Sequence, residues 1–490
     1  MPWSPALTID PAADKPLYAQ LVDAVVGEIR AGRLAPGDRL PGSRSIAGKL
    51  GIHRNTVLAA FDELTAEGWL QARPGSGTVV AEELPDLEAT GTIARGRASV
   101  PFALAPCSIG TLPRGRRQQT PLPPGVLQLS GGLPDLRLIP DVALARAHRR
   151  ALRRGGVSLL GYGDGAGHPQ LRQQLARMLA ATRGLSLGPE DLLVTRGAQM
   201  ALYLTARVLI RPGDVVAVEA FGYPPAWEVL RAAGAELVPV AVDGEGLDVA
   251  ALARLAARRT LRAVYVTPHH QFPTLATLSA PRRLELLALA RRCGFAIIED
   301  DYDHEVHYQG SPVLPLAHHD RHGAVIYIGT LSKVLAPGLR LGFVSAGAPV
   351  LEQALRWRGI IDRQGDLATE AAIAELFEDG EVQRHIGRVR RIYQRRRQAL
   401  LATIERRLPG AFAIELPRGG MALWAPAVAG DDTDLWAERA LARGVAVQPA
   451  GAYWLGRGKV HGFRLGFAAL DEGELDEAVR RLAQARPRQK

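Results

Sequence analysis

The sequence has 490 residues, enough for two to four domains of ~150 residues, and its 47% hydrophobic and 22% charged content argues against a disordered chain or a coiled coil. The formal charge of +10 favours polyanionic partners such as nucleic acid. Two cysteines, Cys107 and Cys293, are too few for a disulfide scaffold or a cysteine-based zinc module; no metal site is predicted, and without a signal segment or membrane span we expect a soluble, cytoplasmic protein.

Residues 17–80 predict three helices followed by a hairpin. Apolar residues recur at four-residue spacing from Leu21 to Ile29, and Gly32 follows them as a stop. Ser43 is the predicted cap of a second helix that Gly51 ends. A third helix with one apolar face closes before two short β-prone segments, which a Pro/Gly-rich turn joins.

Three helices and a hairpin are typical of a winged helix-turn-helix, whose second motif helix enters the major groove of DNA. Here that helix begins at Arg54, with Asn55 and Thr56 beside it, and arginine pairs well with guanine edges. Arg44 begins the preceding helix, where a backbone phosphate would lie, and Gly75 lies in the predicted wing. The alternative is a three-helix bundle with solvated arginines, since residues 1–80 carry eight basic and eight acidic residues and have no net charge.

The composition changes twice after the hairpin. Residues 10–82 form the predicted DNA-binding domain, residues 83–125 a Pro/Arg-rich linker, and residues 126–490 a third zone. In that zone, nearly continuous apolar strands alternate with helical stretches, which predicts an α/β fold with a mostly parallel sheet buried on both faces. The predicted strands include residues 192–194, 215–218, 263–266, 296–298 and 325–328.

The candidate functional side chains are most concentrated in residues 297–340. An acidic cluster, residues 299–303, directly follows a buried strand, at the sheet edge where α/β proteins bind ligands. Lys333 follows the next strand, and a partly desolvated lysine forms an imine with an aldehyde. A carboxylate on the same edge can hold a pyridine nitrogen protonated, and hydroxyls with Arg340 can hold a phosphate. Together these features indicate pyridoxal phosphate, although each alone is also typical of a helix start or a solvated turn.

Both zones contain motifs typical of known families. They are PLY at 16–18, GRLAPGDRLP at 32–41, RNTV at 54–57, GSGT at 75–78, LGYGDGAG at 160–167, RGAQ at 196–199, HQFPT at 270–274, EDDYD at 299–303 and YIGTLSK at 327–333. Through these motifs the first zone resembles the GntR family of winged helix-turn-helix repressors across ~65 residues. The second zone resembles fold-type-I aminotransferases, specifically those fused to a GntR-type DNA-binding domain in the MocR/GabR family of bacterial regulators.

This resemblance implies pyridoxal phosphate as cofactor and assigns roles to the matching residues. Lys333 would form the aldimine with the cofactor. Asp300 would pair with the pyridine nitrogen, with Asp301 as the alternative. Tyr302 would hydrogen-bond the ring 3-hydroxyl, and Tyr223 would stack on the ring.

The same resemblance implies ligands for the phosphate, an effector and DNA. The phosphate ligands would be the backbone N–H groups of Gly197 and Ala198, the side chains of Thr330, Ser332 and Arg340, and Tyr162 of the other subunit of a homodimer. Arg464 matches the arginine that clamps an amino-acid carboxylate. In the predicted DNA-binding domain, operator DNA would be contacted by Arg44, Arg54, the two residues after Arg54 and the wing tip at Gly75. His53 stands where Ser or Thr usually caps the recognition helix, a weaker cap by ~1 kcal/mol.

Three departures from the aminotransferase motifs concern the substrate side. Residues 272–275 read Phe-Pro-Thr-Leu, where active enzymes carry Asn-Pro-Thr-Gly and the regulators keep the glycine. Ala220 and Phe221 replace the usual Asp-Pro before the stacking tyrosine, and Gly165 replaces a proline. We therefore expect an intact cofactor site beside an altered substrate site.

Seven arginines recur between Arg384 and Arg397. One interpretation is a solvated helix face beside an apolar seam that includes Val389 and Leu400. The other is a second DNA-facing patch, useful to a dimer that bridges a long operator.

Taken together, the residues and the resemblance predict a homodimeric DNA-binding transcriptional regulator. It would sense pyridoxal phosphate, or an adduct of it with an amine, through an aminotransferase-like domain with little or no turnover. One alternative is an active aminotransferase fused to a DNA-binding module, and another is a domain that has lost its cofactor and serves as a dimer scaffold. The operator, the effector and the sign of regulation are left open.

Overall fold

The computed structural model describes residues 9–11, 13, 15–73, 77–85, 122–309, 313–428 and 430–487. The predicted wing residue Gly75 and residues 86–121 of the predicted linker lie outside these ranges. The chain divides into two compact units, residues 1–105 and 106–490. Every helix within the described ranges is too short or too polar to cross a membrane.

The first unit consists of three helices and an antiparallel hairpin. Its core is formed by Leu21 and Val25 from the first helix, Ile46 from the second, and Val57 and Leu64 from the third, all fully buried. Each such side chain contributes about 1.5–3 kcal/mol when removed from water, so packing rather than helix propensity holds these short helices. The elements are α1 (Leu17–Arg30), α2 (Ser43–Leu50), α3 (Arg54–Ala66), β1 (Leu70–Arg73) and β2 (Gly77–Val80).

The two caps of the helix-turn-helix differ from the sequence prediction. Ser43 is the first residue of α2 rather than its cap, Gly42 precedes the helix, and the Ser43 hydroxyl accepts a hydrogen bond from Arg54 Nε at 3.3 Å. His53 does cap α3, because its Nδ1 accepts from the backbone N–H of Asn55 at 3.2 Å. The recognition helix therefore begins with a side-chain cap despite the missing Ser or Thr.

The second unit is an α/β domain built on one large sheet. Its helices are α4 (Asp141–Gly155), α5 (Pro169–Arg183), α6 (Ala198–Leu209), α7 (Pro224–Ala232), α8 (Val249–Ala256), α9 (Ala280–Cys293), α10 (Leu316–His319), α11 (Ala348–Ile361), α12 (Leu367–Glu378), α13 (Glu381–Arg407), α14 (Thr433–Ala442) and α15 (Glu472–Ala485). Its strands are β3 (Leu127–Gln128), β4 (Leu192–Thr195), β5 (Val215–Glu219), β6 (Glu236–Val240), β7 (Val242–Asp243), β8 (Gly246–Leu247), β9 (Leu261–Val266), β10 (Ala296–Asp301), β11 (Val325–Thr330), β12 (Gly342–Ser345), β13 (Ala422–Pro426), β14 (Val445–Ala446) and β15 (Gly462–Gly466).

The large sheet has the order β4-β12-β11-β10-β9-β5-β6. Its strands pair in parallel except β12, which runs antiparallel to both neighbours. Every residue of β5 and β11 is buried, as expected for strands covered by helices on both faces. The predicted mostly parallel α/β sheet is thus confirmed. A separate antiparallel pair, β13 and β15, carries Arg464.

A buried polar network anchors the carboxyl end of β10. Arg183, at the end of α5, places Nε 3.2 Å from Asp301 Oδ2 and donates to the Tyr327 hydroxyl at 2.6 Å. Tyr327 donates in turn to Asp301 at 2.5 Å, and Arg183 also pairs with Glu305 at 2.5 Å. His304 Nδ1 lies 3.1 Å from the same Asp301 oxygen. One oxygen of the Asp301 carboxylate, Oδ2, is therefore held by this network.

The arginine run lies on α13, where two of its members are buried. Arg396 lies 2.6 Å from the Ala468 carbonyl and 2.9 Å from Asp135, and the Arg397 guanidinium lies 4.6 Å from the ring centre of Tyr308. Neither a solvated face nor a DNA-facing patch describes these two, because both hold the helix against its own domain. The exposed members are Arg384, Arg388, Arg390, Arg391 and Arg395.

Arg183→Met should destabilise the second unit by about 3–5 kcal/mol, since it leaves two buried carboxylates without their cation. Arg177→Met is the matched control, because Arg177 lies on the same helix and is exposed; its effect should stay within about 0.5 kcal/mol. The free energy of unfolding of each full-length variant in urea measures the difference. Equal losses in the two variants would show that the network does not anchor β10.

Candidate functional site

Lys333 lies three residues beyond β11, next to a backbone carbonyl. Its Nζ donates to the carbonyl of Gly132 at 2.6 Å, and the side chain is partly buried. Removal from water lowers the pKa of Lys333 to about 8, and the positive charge of Arg464 adds to the lowering. Near neutral pH a useful share of the amine is therefore uncharged, the form that attacks an aldehyde.

Asp300 and Asp301 are neighbours on β10, so their side chains point to opposite faces of the sheet. Asp300 Oδ2 accepts a hydrogen bond from the Tyr265 hydroxyl at 2.8 Å. Its Oδ1 is buried and has no partner among the described residues. Burial raises the pKa of Asp300 to about 7, whereas the hydrogen bond from Tyr265 and the charge of Lys333 oppose the rise. Asp301 Oδ1 is also buried without a partner among the described residues, but its Oδ2 is held by Arg183 and Tyr327, whereas the only side-chain donor to Asp300 is Tyr265.

Glu219, at the end of β5, is a buried acid that the sequence analysis missed. It accepts hydrogen bonds from the Thr267 backbone N–H at 3.1 Å and the Thr267 hydroxyl at 2.8 Å. Burial raises the pKa of Glu219 to about 8. Thr267 Oγ1 also accepts from the backbone N–H of Phe272 at 2.9 Å, so this acid positions the departing loop. The sequence signal that identified the acids of β10, an acidic residue at the end of an apolar strand, also applies to Glu219.

Arg464 is a buried cation beside the Tyr302 hydroxyl, and the described residues offer it no carboxylate partner. It is 1% exposed, and none of its three guanidinium nitrogens has a hydrogen-bond partner in the described part of the chain. Its guanidinium lies 4.6 Å from the ring centre of Phe272. A Cβ at Gly131 or Gly132 would lie 2.7 Å or 2.9 Å from Arg464 Nη1, so only glycine leaves space there. A buried, unpaired guanidinium is costly, and an anion would remove that cost.

Phe272 stands where the aminotransferase motif has asparagine, and it lies at the centre of an aromatic cluster. Its ring centre is 5.2 Å from that of Tyr223, 5.3 Å from that of Tyr453 and 6.0 Å from that of Tyr302. The buried Tyr302 hydroxyl has no hydrogen-bond partner within the described ranges. Phe272 therefore joins the predicted stacking residue, the predicted 3-hydroxyl ligand and Arg464 without offering a hydrogen bond.

Leu275, which stands where the aminotransferase motif has glycine, has a backbone conformation that favours glycine. Its φ is +66°, in the left-handed region that costs a non-glycine residue ~1–2 kcal/mol. The side chain is 5% exposed, and a Cβ at Gly420 would lie 2.8 Å from its Cδ2. The loop therefore holds a buried leucine at a position whose backbone conformation favours glycine.

The predicted phosphate ligands gather at the start of α6. Gly197, with φ +77°, precedes the helix, and Ala198 is its first residue. Arg340, with φ +52°, donates to the carbonyl before Gly197 at 3.2 Å. Thr330 donates to Ser332 Oγ at 3.0 Å. The Gly197 N–H donates to the Thr195 carbonyl at 2.8 Å, and the start of α6, two hydroxyls and an arginine have the composition of an oxyanion cradle.

Gly342 lets this cradle form. It is the first residue of β12, and a Cβ there would lie 2.6 Å from the carbonyl carbon of Gly197 and 2.7 Å from the nitrogen of Ala198. Both contacts are to backbone, so neither can yield by a side-chain rotation. No sequence motif identified this residue.

Tyr162 lies on the surface of its own chain and not among the other predicted phosphate ligands. It is 81% exposed, and the Arg363 guanidinium lies 4.7 Å from its ring centre. A role as a ligand donated to another subunit stays a prediction.

The predicted DNA-contacting side chains are accessible in the first unit. Arg44, Arg54 and Asn55 are exposed and Thr56 is partly exposed. The hydrogen bond between Arg54 and Ser43 joins the starts of α3 and α2.

Comparison with known proteins matches both units to families. Residues 17–80 match the bacterial regulatory proteins of the gntR family, and residues 124–482 match the aminotransferases of class I and II. The chain is 34% identical over 481 residues to the probable rhizopine catabolism regulatory protein MocR of Rhizobium meliloti, covering 98% of this chain and 95% of that protein. It belongs to the MocR-type regulators of the GntR family.

Two further similarities agree with this assignment. The chain is 33% identical over 484 residues to the transcriptional regulator TauR of Rhodobacter capsulatus, covering 97% of both proteins. The crystal structure of the α-aminoadipate aminotransferase LysN from Thermus thermophilus matches 74% of this chain and 92% of its own, with a TM-score of 0.69 and 32% identity. The predicted MocR/GabR resemblance and fold class are confirmed: this is a transcriptional regulator in which a helix-turn-helix domain is fused to an aminotransferase-like domain.

Proposed function

We propose that this regulator binds operator DNA through its first unit and senses pyridoxal phosphate, or an adduct of it with an amine, through its second. The observation that carries the proposal is that Lys333 and Arg464 both lie beside Gly132. Lys333 Nζ donates to the Gly132 carbonyl, and Arg464 Nη1 lies next to the Gly132 Cα. A lysine with a lowered pKa is the group that captures an aldehyde, and a buried unpaired arginine is the group that receives a carboxylate.

The residues present fit the cofactor. Asp300 Oδ1 is the buried acceptor that a protonated pyridine nitrogen requires, and the Tyr302 hydroxyl is available to the ring 3-hydroxyl. Tyr223 would stack on the ring. When bound, pyridoxal phosphate supplies an aldehyde that condenses with amines and a ring that accepts electrons.

The cradle at the start of α6 would hold the phosphate through the ligands already described. Gly197 and Ala198 would offer backbone N–H groups, whereas Thr330, Ser332 and Arg340 would offer side chains. Tyr162 would complete the cradle from the second subunit of a homodimer, a role consistent with its exposure.

Arg464 would bind the carboxylate of an amino-acid effector. Its buried position makes the guanidinium selective for an anion, since a neutral ligand would leave the charge unpaired. The ligand would thus touch residues from β15, from the loop at Phe272 and from the loop after β11. An effector that bridges these elements favours one arrangement of the domain over another, the requirement for changing DNA affinity.

An active aminotransferase fused to a DNA-binding module is the second candidate. The similarity of the second unit to LysN and the presence of Lys333 favour it. Against it stand the apolar Phe272 and Leu275 at the substrate side. Transamination needs the substrate held with its breaking bond perpendicular to the ring, and Phe272 offers no hydrogen bond for that purpose.

In the first unit, α3 would read base edges in the major groove. Arg54, Asn55 and Thr56 occupy its first turn, and Arg44 on α2 would contact a phosphate. Gly75 would bring the wing to the minor groove. The linker, residues 83–125, would transmit a ligand-dependent change in the arrangement of the dimer to its two DNA-binding domains.

Gly342→Ala should weaken the binding of pyridoxal phosphate, because the new Cβ displaces the first N–H groups of α6. Gly338→Ala is the matched control, since a Cβ there meets no atom within 4 Å. Absorbance titration of each full-length variant measures the dissociation constant. Equal affinities in the two variants would contradict the proposed phosphate cradle.

Arg54→Ala should cost about 1–3 kcal/mol on a selected DNA site and much less on random DNA, because a base contact is lost. Arg44→Ala should weaken both about equally and reduce the salt dependence of binding by about one ion. Fluorescence anisotropy at several salt concentrations separates the two patterns. Equal loss on both DNAs for Arg54→Ala would reassign Arg54 to the phosphate backbone.

Transamination should be far slower than ordinary enzyme rates of about 1 s⁻¹ or more, because Phe272 leaves the substrate poorly oriented. The test supplies the cofactor-loaded chain with amino acids and a 2-oxoacid, and it measures new keto acid by chromatography. Lys333→Ala sets the background. Steady production above that background at about 1 s⁻¹ or faster would favour the aminotransferase alternative.

A further inference from the structure

Three histidines that the proposed cofactor site does not use lie together beyond the ends of β9 and β10. They are His269 and His270, which follow β9, and His307, which follows β10. One ring nitrogen from each lies within 4.8 Å of the other two. His269 and His270 are 4% and 2% exposed, so this is a buried cluster rather than a surface patch.

His269 is the unexplained member. Neither of its ring nitrogens has a hydrogen-bond partner among the residues described, although water is excluded from both. Leaving a buried polar group unsatisfied costs about 1–3 kcal/mol. Its ring centre lies 4.3 Å from that of His270 and 4.4 Å from that of His304, but ring contacts do not satisfy the nitrogens. A bound cation would use the free lone pair.

His270 has the arrangement of a metal ligand with a carboxylate behind it. Its Nδ1 lies 2.7 Å from Asp303 Oδ1. A proton on Nδ1 shared with that carboxylate leaves the Nε2 lone pair available, the usual pattern behind a metal-binding histidine. A Cβ at Gly419 would lie 2.3 Å from this Nε2, so the glycine keeps the space beside it free of a side chain.

His307 connects the cluster to solvent. It is partly exposed and forms part of the wall of a cavity of about 890 Å³, together with Thr182 and Glu305. Its ring nitrogens have no side-chain partner in the described ranges. His304 is not a fourth ligand, because its Nδ1 lies 3.1 Å from Asp301 and its Nε2 3.3 Å from the carbonyl of Thr182. The fourth ligand therefore has to come through the cavity.

We propose that His269, His270 and His307 bind one divalent transition-metal ion, with a fourth position open to the cavity. Three imidazoles and an exchangeable ligand are a common set for Zn²⁺, whose bonds to nitrogen of ~2.0–2.1 Å place tetrahedral ligand atoms ~3.3 Å apart. From separations of up to 4.8 Å, modest ring rotations close the site. The His269 ring has no hydrogen bond to any described residue that this movement would break.

The test measures zinc binding to the full-length, tag-free chain after chelation and buffer exchange. Calorimetric titration with Zn²⁺ should give one site per chain. X-ray absorption of the loaded protein should give nitrogen ligands at ~2.0–2.1 Å. Asp303→Asn should weaken this binding by ~10–100-fold, because it removes the support behind His270.

His269→Asn and His307→Asn should each abolish the site, whereas the exposed His319→Asn should bind like the parent chain. The thermal unfolding temperature of each variant shows whether it folds, and the partly exposed His307 provides a second variant if His269→Asn does not. Zinc binding that survives in folded His307→Asn, or a parent chain that binds no zinc, would overturn the proposal. The cluster would then be a packed set of neutral rings.

Discussion

The site depends on how the end of β10 is held. Two adjacent carboxylates lie there on opposite faces of the sheet, and Arg183 with Tyr327 binds one of them, Asp301, in a buried network. Because that face is anchored, the neighbouring Asp300 keeps a fixed direction and a buried oxygen without a partner among the described residues. Asp300 and Asp301 have different surroundings because successive side chains of a strand alternate between the two faces of the sheet. Asp301 holds the strand end through its Oδ2, and Asp300 lies on the opposite face with its Oδ1 unpartnered among the described residues.

The second constraint is an unpaired charge. Arg464 is buried, lies over Phe272 and has no anion among the described residues. Folding therefore retains a cost that an effector carboxylate would remove, and the same ligand would contact elements from different parts of the second unit. This arrangement suits a sensor, because ligand binding carries free energy that depends on the positions of those elements. It does not by itself supply the orientation that fast transamination requires.

Much of this architecture could be predicted from the sequence, because strong periodicity and strand-end motifs are local signals. They located five of the seven strands of the large sheet, all but β6 and β12, together with Lys333 and the Asp300–Asp301 pair. The rest depends on contacts between distant segments. Only the fold shows that Arg396 and Arg397 are buried, that Gly342 abuts the start of α6, and that three histidines from two loops meet. The prediction of Ser43 as a cap was wrong because the extended Gly42 is the residue before the helix and Ser43 is its first residue, a shift of one position that composition does not reveal.

The most direct test of the account is whether the cofactor changes DNA affinity through Lys333. A duplex selected by the full chain from a random pool would be titrated with the parent chain and with Lys333→Ala, each with and without pyridoxal phosphate. Coupling of ~1–3 kcal/mol predicts a change of ~5–150-fold in the parent chain and little or none in the variant. If the parent chain has bound the cofactor, as its visible absorbance would report, and its DNA affinity is unchanged, the account is contradicted.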